Sequence, residues 1–284
     1  MKRPRRTLLL ALLATLTLAS TCTAASPLGR GASYLLARQQ SGGGFAEPGA
    51  SSSAGLTSWV VLGLKAGGRA PTNTQGAVDY LTGATQTQAT DLELRLLALD
   101  ALAQDTSNLA SAIEQLRQPG GRIGPALNST YWGVIALKAA GHKPAKATVR
   151  YILRAQRGSG GWSWSAHAAA DAGDTAAATQ ALRAAGKSAR SAQITRGVRF
   201  LRRCQNKDGG FAVSPSADSD AQSTAWAIQA LSAAHMDPGK AAFRYLKKLQ
   251  RGDGSFRYSR RYVTTPAWVT AQVLCALARK PFPL

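Results

Sequence analysis

A motif that recurs six times along the chain restricts it to a repeat architecture. In the four clearest copies, a glutamine is followed six residues later by an aromatic residue, with glycines between them. The pairs are Gln39 and Phe45, Gln156 and Trp162, Gln205 and Phe211, and Gln250 and Phe256. Two copies are degenerate: Thr85 replaces the glutamine in the one that begins at Tyr80, and Gln118 keeps it in the one that begins at Ile113. Units spaced by roughly 35 to 50 residues cover one another's apolar faces, so the repeat predicts one continuous domain.

Each unit predicts two helices joined by a glycine-containing segment. The first helix, such as residues 241–250, is amphipathic and carries lysine and arginine. The second is rich in alanine, carries few charges and ends at a glycine such as Gly141 or Gly186. A basic helix belongs on the outside and a helix of small residues belongs on the inside. Twelve helices in six hairpins therefore predict an all-α fold, an α/α toroid with six outer and six inner helices around a central cavity.

The inner helices align on a column of threonines. The column consists of Thr57, Thr130, Thr175, Thr224 and Thr270, with Arg95 in the second unit. At about 100° per residue, the positions four and seven residues later share the threonine's stripe, which is apolar and should pack against the outer helices. The positions two and five residues later then face the cavity. These lumen positions hold Trp59 and Leu62, Leu97 and Asp100, Trp132 and Ile135, Ala177 and Gln180, Trp226 and Gln229, and Gln272 and Cys275.

Acidic residues cluster where the inner helices begin, and they predict a ligand site at that end of the cavity. Six of the 14 Asp and Glu residues lie there: Asp91, Glu93, Asp171, Asp174, Asp218 and Asp220. The predicted ligand-binding residues are Tyr131, Asp171, Asp174, Asp220, Gln222, Thr265 and Trp268 at this acidic mouth, and Trp59, Trp132, Gln180, Trp226 and Gln229 along the lumen. Two alternatives stay open. Asp171 and Asp220 can serve as helix N-caps, and the three lumen tryptophans can simply fill the barrel.

Residues 1–25 have the pattern of a secretory signal peptide, which leaves 26–284 as the single toroid domain. Four basic residues precede the apolar run 8–18, which is too short to remain in a bilayer. We predict a secreted or extracytoplasmic protein that is not transmembrane once processed. Removing the four charges lowers the net charge from +21 to +17, which favours an anionic cell surface as a partner, although a solvated outer face also accounts for it. Nucleic acid is not predicted as a partner, because no motif that reads it is present.

The glutamine–aromatic motif resembles that of a superfamily of α/α toroids. Its members are squalene cyclases, protein prenyltransferase β subunits, complement-type thioester domains and the α domain of cobalamin carriers. The resemblance covers nearly all of residues 30–284 and implies the toroid, although enzymes and binding proteins share it. In the cyclases, the glutamine and the aromatic residue tie the end of an outer helix to the start of an inner helix. The resemblance implies the same role for Gln39, Gln156, Gln205 and Gln250.

The catalytic signatures of the enzymes in this superfamily are incomplete. Class II cyclases carry Asp-x-Asp-Asp-Thr-Ala, in which the middle aspartate is the proton donor. The corresponding segments 171–176 and 220–225 have Gly173 and Gln222 at that position. Prenyltransferases hold zinc with Asp, Cys and His, and no such trio is apparent around Cys204 or Cys275. We therefore assign no catalytic residue and no metal ligand, and the chain's being an enzyme stays uncertain. Whether the two cysteines form a disulfide or are inert buried thiols also stays open.

The last predicted inner helix points toward a binding protein. Its sequence Thr-Ala-Gln-Val-Leu-Cys-Ala-Leu (270–277) resembles the closing segment of the cobalamin-carrier α domain, which implies a ligand at the mouth beneath a small β domain. We predict a non-catalytic toroid for a large amphipathic small molecule, with a corrinoid as the best candidate and the β domain on a separate polypeptide. Cobalamin enters as a ligand, and no cofactor is predicted. The alternatives are a terpene cyclase or prenyltransferase-like enzyme acting on an isoprenoid, and a cell-surface interaction module.

Overall fold

The computed structural model describes residues 26–284, so the predicted signal peptide lies outside the described residues. It contains twelve helices that alternate between an outer and an inner ring. The outer helices are α1 (Pro27–Leu36), α3 (Thr74–Thr82), α5 (Ser107–Gln115), α7 (Lys146–Arg154), α9 (Ala192–Arg203) and α11 (Lys240–Leu249). The inner helices are α2 (Ala54–Ala66), α4 (Ala89–Ala101), α6 (Leu127–Ala139), α8 (Ala172–Ala184), α10 (Ala221–Ala233) and α12 (Pro266–Leu277). Two short antiparallel strands, β1 (Phe211–Ala212) and β2 (Ser219–Asp220), lie between α9 and α10.

The inner helices form a closed ring. Each inner helix contacts the next one in chain order, and α12 returns to contact α2. The first outer helix α1 also packs against α12, which joins the first and last repeats. The predicted all-α toroid of six helical hairpins is therefore confirmed. No helix within residues 26–284 has the length and apolar character needed to cross a membrane.

The threonine column and the aromatic residues of the motif are joined by hydrogen bonds. The backbone N–H of the aromatic residue donates to the threonine hydroxyl of the following inner helix. The pairs are Phe45 and Thr57 at 2.9 Å, Trp162 and Thr175 at 2.9 Å, Phe211 and Thr224 at 2.8 Å, and Phe256 and Thr270 at 2.9 Å. In the third repeat, Ile123 takes the place of the aromatic residue and donates to Thr130 at 3.1 Å. In these five repeats the motif thus links the end of the outer helix to the start of its inner helix, as the resemblance implied.

The glutamine side chain has a further task, because it reaches the next repeat. Its amide group donates to the first carbonyl groups of the following outer helix. Gln39 reaches Asn73 at 2.7 Å, Gln156 reaches Gln193 at 2.8 Å, and Gln250 reaches Pro27 at 2.8 Å. The last of these bonds joins repeat six to repeat one. The turn glycines bring the backbones close enough: a Cβ on Gly43, whose φ is +85°, would lie 2.1 Å from the backbone of Gly76 in the next outer helix.

The second repeat departs from the predicted frame. Helix α4 begins three residues earlier than a frame centred on Arg95 requires, so Leu92 occupies the threonine position. The lumen position two residues after the threonine position, which the frame gave to Leu97, is therefore held by Leu94. Asp100, which the frame also placed in the lumen, no longer holds a lumen position. Arg95 instead donates to the carbonyl oxygen of Ala84 in the preceding loop. The frame failed here because Leu92, and not a threonine, holds the column position in this repeat.

Glu93 is a buried carboxyl group without a hydrogen-bond partner among the described residues. Its side chain is 0% exposed, and neither carboxyl oxygen has a donor within reach. A Cβ on Gly133 of α6 would lie 3.1 Å from its Oε1 atom, so the carboxyl group fills the gap between α4 and α6. Its predicted place at the acidic mouth is therefore corrected, because the shifted register of α4 turns it between the helices. Burial raises the pKa of Glu93 well above its ordinary value, which favours the protonated form.

Replacing Glu93 by leucine is expected to raise the free energy of unfolding by about 1–3 kcal/mol near neutral pH, because an unpaired buried carboxyl group disappears. The raised pKa of Glu93 also determines the direction in which the stability of the protein changes with pH. The folded protein keeps a proton that the unfolded chain releases, so wild-type stability falls as the pH rises above about 4. Urea unfolding at acidic and at mildly alkaline pH measures both effects, and the difference between the two pH values should shrink in Glu93→Leu. Substitution of the exposed Asp79 by Asn is the control, and an equal change there would contradict the assignment.

Both cysteines of the described residues are free thiols. Cys204 and Cys275 are buried, and neither takes part in a disulfide. Burial raises the pKa of the Cys204 thiol to about 11 and that of Cys275 to about 12. At these values the reactive thiolate is scarce at neutral pH. Of the two alternatives left open by the sequence, the structure thus has the inert buried thiols.

Candidate functional site

Three tryptophans meet at the centre of the ring. Trp59, Trp132 and Trp226 come from alternate inner helices, α2, α6 and α10. Their rings pack edge to face, with centroids 5.2 to 5.6 Å apart, which is a favourable arrangement for aromatic pairs. Each side chain is only 4 to 7% exposed. The structure therefore has these indoles filling the lumen, and we call the three of them the indole floor.

The C-terminal tail closes the lumen on the far side of the indole floor. The ring of Phe282 lies 5.7 to 6.5 Å from the three indoles. Its backbone N–H donates to Oε1 of Gln180 at 2.8 Å, and the Gln229 amide donates to the carbonyl oxygen of Lys280 at 3.2 Å. Gln180 and Gln229 were predicted to bind a ligand, but they hold the chain's own tail. The repeat pattern gave no signal of this, because the tail lies outside the repeat.

The open end of the toroid is the mouth, where the inner helices begin. Loop carbonyl groups there accept hydrogen bonds from the first N–H groups of the preceding inner helix. The Trp164 carbonyl accepts from Asn128 at 3.2 Å, that of Val213 from Ala172 at 2.8 Å, and that of Tyr258 from Ala221 at 2.7 Å. Where the ring closes, the Glu47 carboxylate accepts from Ala267 at 2.9 Å and from Trp268 at 2.8 Å. A negative charge suits this helix N-terminus, and together the bonds satisfy donors that a helix leaves unpaired.

Two aspartates lie at the start of α8. Asp171 is the N-cap of this helix, and its Oδ1 accepts from the backbone N–H of Asp174 at 2.8 Å. The Asp174 Oδ1 accepts from the side-chain amide of Asn128 on α6 at 2.6 Å. Asp174 is only 7% exposed. Burial and, secondly, the charge of Asp171 raise the pKa of Asp174 to about 8, so a neutral carboxylic acid predominates at neutral pH.

This acid is bonded to the helix that supplies one indole of the floor. Asn128, which holds Asp174, is four residues before Trp132 on α6. Residues at this spacing share one face of a helix and differ by about 6 Å along its axis. A protonated carboxyl group at the open end of a ring of indoles can donate a proton to an apolar molecule, and the π faces can stabilise a developing cation. The role of Asn128 was missed in the sequence, because its partner Asp174 lies 46 residues away.

The other predicted site residues at the mouth are less closely grouped. Asp220 is the N-cap of α10, accepts from the backbone N–H of Ser223 at 2.7 Å, and has a pKa raised by burial. It lines a separate cleft of about 360 Å³ beside the loop that leads into α12. Gln222 is half-buried in the first turn of α10. Both capping roles that the sequence left open, for Asp171 and for Asp220, are thus present in the structure.

Three further candidates have distinct positions. Tyr131 is completely buried, and its hydroxyl donates to the carbonyl oxygen of Ser163 at 3.1 Å, so it supports a mouth loop. Thr265 is exposed before the first turn of α12, with a left-handed φ of 39°. The Trp268 ring lies 5.9 Å from that of Trp59 and extends the indole floor toward the mouth. Within residues 26–284, no three His, Cys, Asp or Glu side chains are grouped to hold a metal ion.

The fold is similar to that of solved terpene cyclase structures. The type II terpene cyclase MstE from Scytonema is 18% identical, with a TM-score of 0.65 over 89% of this chain and 96% of that chain. A variant of it in complex with its substrate, geranylgeranyl dihydroxybenzoate, gives 18% identity and a TM-score of 0.64 over 89% and 95%. The ent-copalyl diphosphate synthase from Streptomyces platensis is 16% identical, with a TM-score of 0.60 over 80% of this chain and 50% of that chain. No curated protein has a sequence that matches this chain.

These neighbours correct the function predicted from the sequence. A non-catalytic corrinoid-binding toroid was predicted because Gly173 and Gln222 occupy the proton-donor position of the cyclases and because residues 270–277 resemble a segment of the cobalamin carriers. The structures similar to nearly the whole chain include those of a type II terpene cyclase, so that prediction is wrong and its first alternative, an isoprenoid-acting enzyme, is favoured. A small-molecule ligand fits both interpretations. Secretion, the separate β domain and the anionic surface partner stay predictions that these similarities do not test.

The sequence itself identifies the family. The prenyltransferase alpha-alpha toroid domain matches residues 64–201 and, in a second overlapping match, residues 124–278. Together the two matches span more than half of the chain and extend from the end of α2 to α12. The overlap is expected of a repeat, since one set of hairpins can be aligned on the next. The chain belongs to the prenyltransferase alpha-alpha toroid family.

Proposed function

We propose that the protein is an enzyme of the type II terpene cyclase kind, which protonates a double bond of an isoprenoid at the mouth of the toroid. The observation that carries this proposal is the buried carboxyl group of Asp174, which accepts from Asn128 on the helix that carries Trp132 and which burial favours in the protonated form. Asp174 is one residue after Gly173, the donor position that the cyclase pattern would use, and it lies on the same turn of α8. The similarity to terpene cyclases supports this interpretation of the acid.

Asp174 would transfer its O–H proton to one carbon of the double bond. The π electron pair forms the new C–H bond, the other carbon becomes a cation, and Asp174 is left as a carboxylate. The amide of Asn128 donates to that carboxylate and stabilises it. Attack of a second double bond on the cation closes a ring, and the resulting cation loses a proton to water at the mouth.

The indoles give the cation a favourable environment. The indole floor and Trp268 are aromatic, and a cation near the π face of such a ring is stabilised by about 0.5–2 kcal/mol, more where water is excluded. The lumen beyond the floor is occupied by Phe282. The substrate would therefore bind above the floor, with its reacting double bond at the mouth and the remainder of its chain along the mouth loops.

The proposal is tested by incubating the protein in D₂O with geranylgeranyl dihydroxybenzoate and, separately, with geranylgeranyl diphosphate. We expect mass spectrometry to show a cyclised isomer of one of them that carries a single new C–D bond, because the first step adds a solvent-derived proton from Asp174. Thermally unfolded protein is the control for uncatalysed cyclisation. A cyclised product without deuterium, or no conversion of either substrate beyond that control, would count against the proposed reaction.

A further inference from the structure

The basic charge of the protein is concentrated on one half of its outer wall. Helices α7, α9 and α11 carry eleven Lys and Arg and no Asp or Glu, whereas α1, α3 and α5 carry one Arg, one Asp and one Glu. None of the ion pairs formed within residues 26–284 uses a side chain of α7, α9 or α11. Three consecutive repeats therefore present positive charge that no carboxylate of the described residues compensates.

Exposed apolar side chains lie at the mouth of the same three repeats. Of the five large hydrophobic residues that are exposed within residues 26–284, four belong to the loops that lead into α8, α10 and α12. These are Trp164 and Tyr262, each 59% exposed, with Val213 at 49% and Val263 at 44%. Their loops form part of the mouth, because the carbonyl groups of Trp164 and Val213 accept from the first residues of α6 and α8.

The last turns of the three basic helices bring cations to this end of the toroid. Arg154 ends α7, Arg203 ends α9, and Lys247 and Lys248 lie in the last turn of α11, all of them exposed. The nearby acids do not offset them, since Asp208 and Asp218 lie 3.8 and 4.0 Å from other arginines of the mouth. We call these four cations, together with Trp164, Val213, Tyr262 and Val263, the cationic rim.

We propose that the cationic rim docks on the surface of an anionic phospholipid bilayer. Lys and Arg near such a surface each contribute about 1 kcal/mol of attraction, and Trp and Tyr favour the boundary between lipid headgroups and acyl chains. A nucleic acid would use the cations but would leave Val213 and Val263 in water. A bilayer uses both kinds of side chain, which is why the rim favours lipid.

Docking in this way would turn the mouth toward the membrane. The proposed acid Asp174 and the indole floor lie within the ring that the rim borders, so an isoprenoid dissolved in the bilayer could enter without crossing water. The docking proposal nevertheless rests on exposed charge and apolar area alone. Its test needs no turnover, and its failure is therefore distinguishable from a failure of the proposed reaction.

The test is flotation of the purified protein with phosphatidylcholine vesicles that contain or lack phosphatidylglycerol. We expect binding only to the anionic vesicles, weakened by added salt. Lys247→Glu with Lys248→Glu should weaken that binding about tenfold or more, given the attraction of each cation. Trp164→Ser with Tyr262→Ser should also weaken it. Brominated lipids should quench part of the tryptophan emission of the wild type, and Trp164→Ser should lose most of that quenching.

Matched controls lie at the opposite end of the toroid. Lys65 and Lys138 are exposed in the last turns of α2 and α6, and Met236 is the fifth exposed hydrophobic residue. Lys65→Glu with Lys138→Glu makes the same change in net charge as the rim pair, and Met236→Ser removes apolar area elsewhere; neither should affect binding. Equal loss with these controls, or undiminished binding after Trp164→Ser with Tyr262→Ser, would overturn docking through the rim. So would binding to DNA or heparin without binding to the anionic vesicles.

Discussion

Replacement of Asp174 by asparagine is expected to lower the rate of isoprenoid cyclisation by about 10²–10⁴-fold while leaving the toroid folded. Asparagine has the same shape and can still pair with Asn128, but it has no acidic proton to give. Product formation measured by mass spectrometry, with circular dichroism to check the fold, separates loss of chemistry from loss of structure. A variant that kept the wild-type rate would show that the proton comes from another group.

The pH dependence of the rate offers an internal control. Since the protonated acid is the active form, the rate should fall as the pH rises through about 8, the pKa to which burial raises Asp174. The charge of Asp171 contributes to that raised value, so Asp171→Asn should move the fall to lower pH. Asparagine remains a good N-cap, and α8 is therefore expected to keep its start. A fall at an unchanged pH in Asp171→Asn would mean that the rate reports a different group.

Removal of the Phe282 side chain is expected to lower the free energy of unfolding by about 3–5 kcal/mol, which is the usual loss for a buried aromatic residue cut back to alanine. Phe282 is 3% exposed and contacts all three indoles, so its absence would leave a hole below the indole floor. Urea unfolding of Phe282→Ala measures the loss. Leu284→Ala, a change in the half-buried end of the same tail, should cost clearly less.

The same variant should gain a binding property. An apolar cavity lined by aromatic rings stays dry and accepts small apolar molecules, so benzene or indole should restore part of the lost stability of Phe282→Ala and none of that of Leu284→Ala. Tryptophan fluorescence should respond to the same ligands, because the cavity borders the indole floor. If Phe282→Ala were as stable as the wild type, the tail would not be what closes the lumen.

Local sequence spacing was sufficient for most of the fold. The glutamine–aromatic motif and the threonine that follows it lie within a single repeat. The bonds that they make, such as Phe45 to Thr57, therefore join residues close in sequence. The prediction failed in α4, where Leu92 replaces the marker threonine and nothing else in that segment sets the register. Register within a helix depends on such a marker, because leucines at several spacings satisfy the same apolar stripe.

The site was harder to predict because its key contacts join distant parts of the chain. Asn128 and Asp174 are 46 residues apart, and Glu47 lies 220 residues from the N-terminus of α12 that it caps. The tail contact between Phe282 and Gln180 likewise crosses the ring. Side-chain positions alone placed three tryptophans in the lumen correctly, but whether they lined a cavity or filled it depended on the diameter of the ring.

The bond from Gln250 to the carbonyl group of Pro27 has a consequence for how the protein unfolds. A linear array of repeats has two ends, from which it can fray one unit at a time, and such arrays often lose cooperativity. Here every hairpin has a neighbour on both sides, so opening any one of them breaks two interfaces at once. We therefore expect the ring to unfold as a single cooperative unit, in which the seam where α12 packs against α1 and α2 contributes to the stability of all six hairpins.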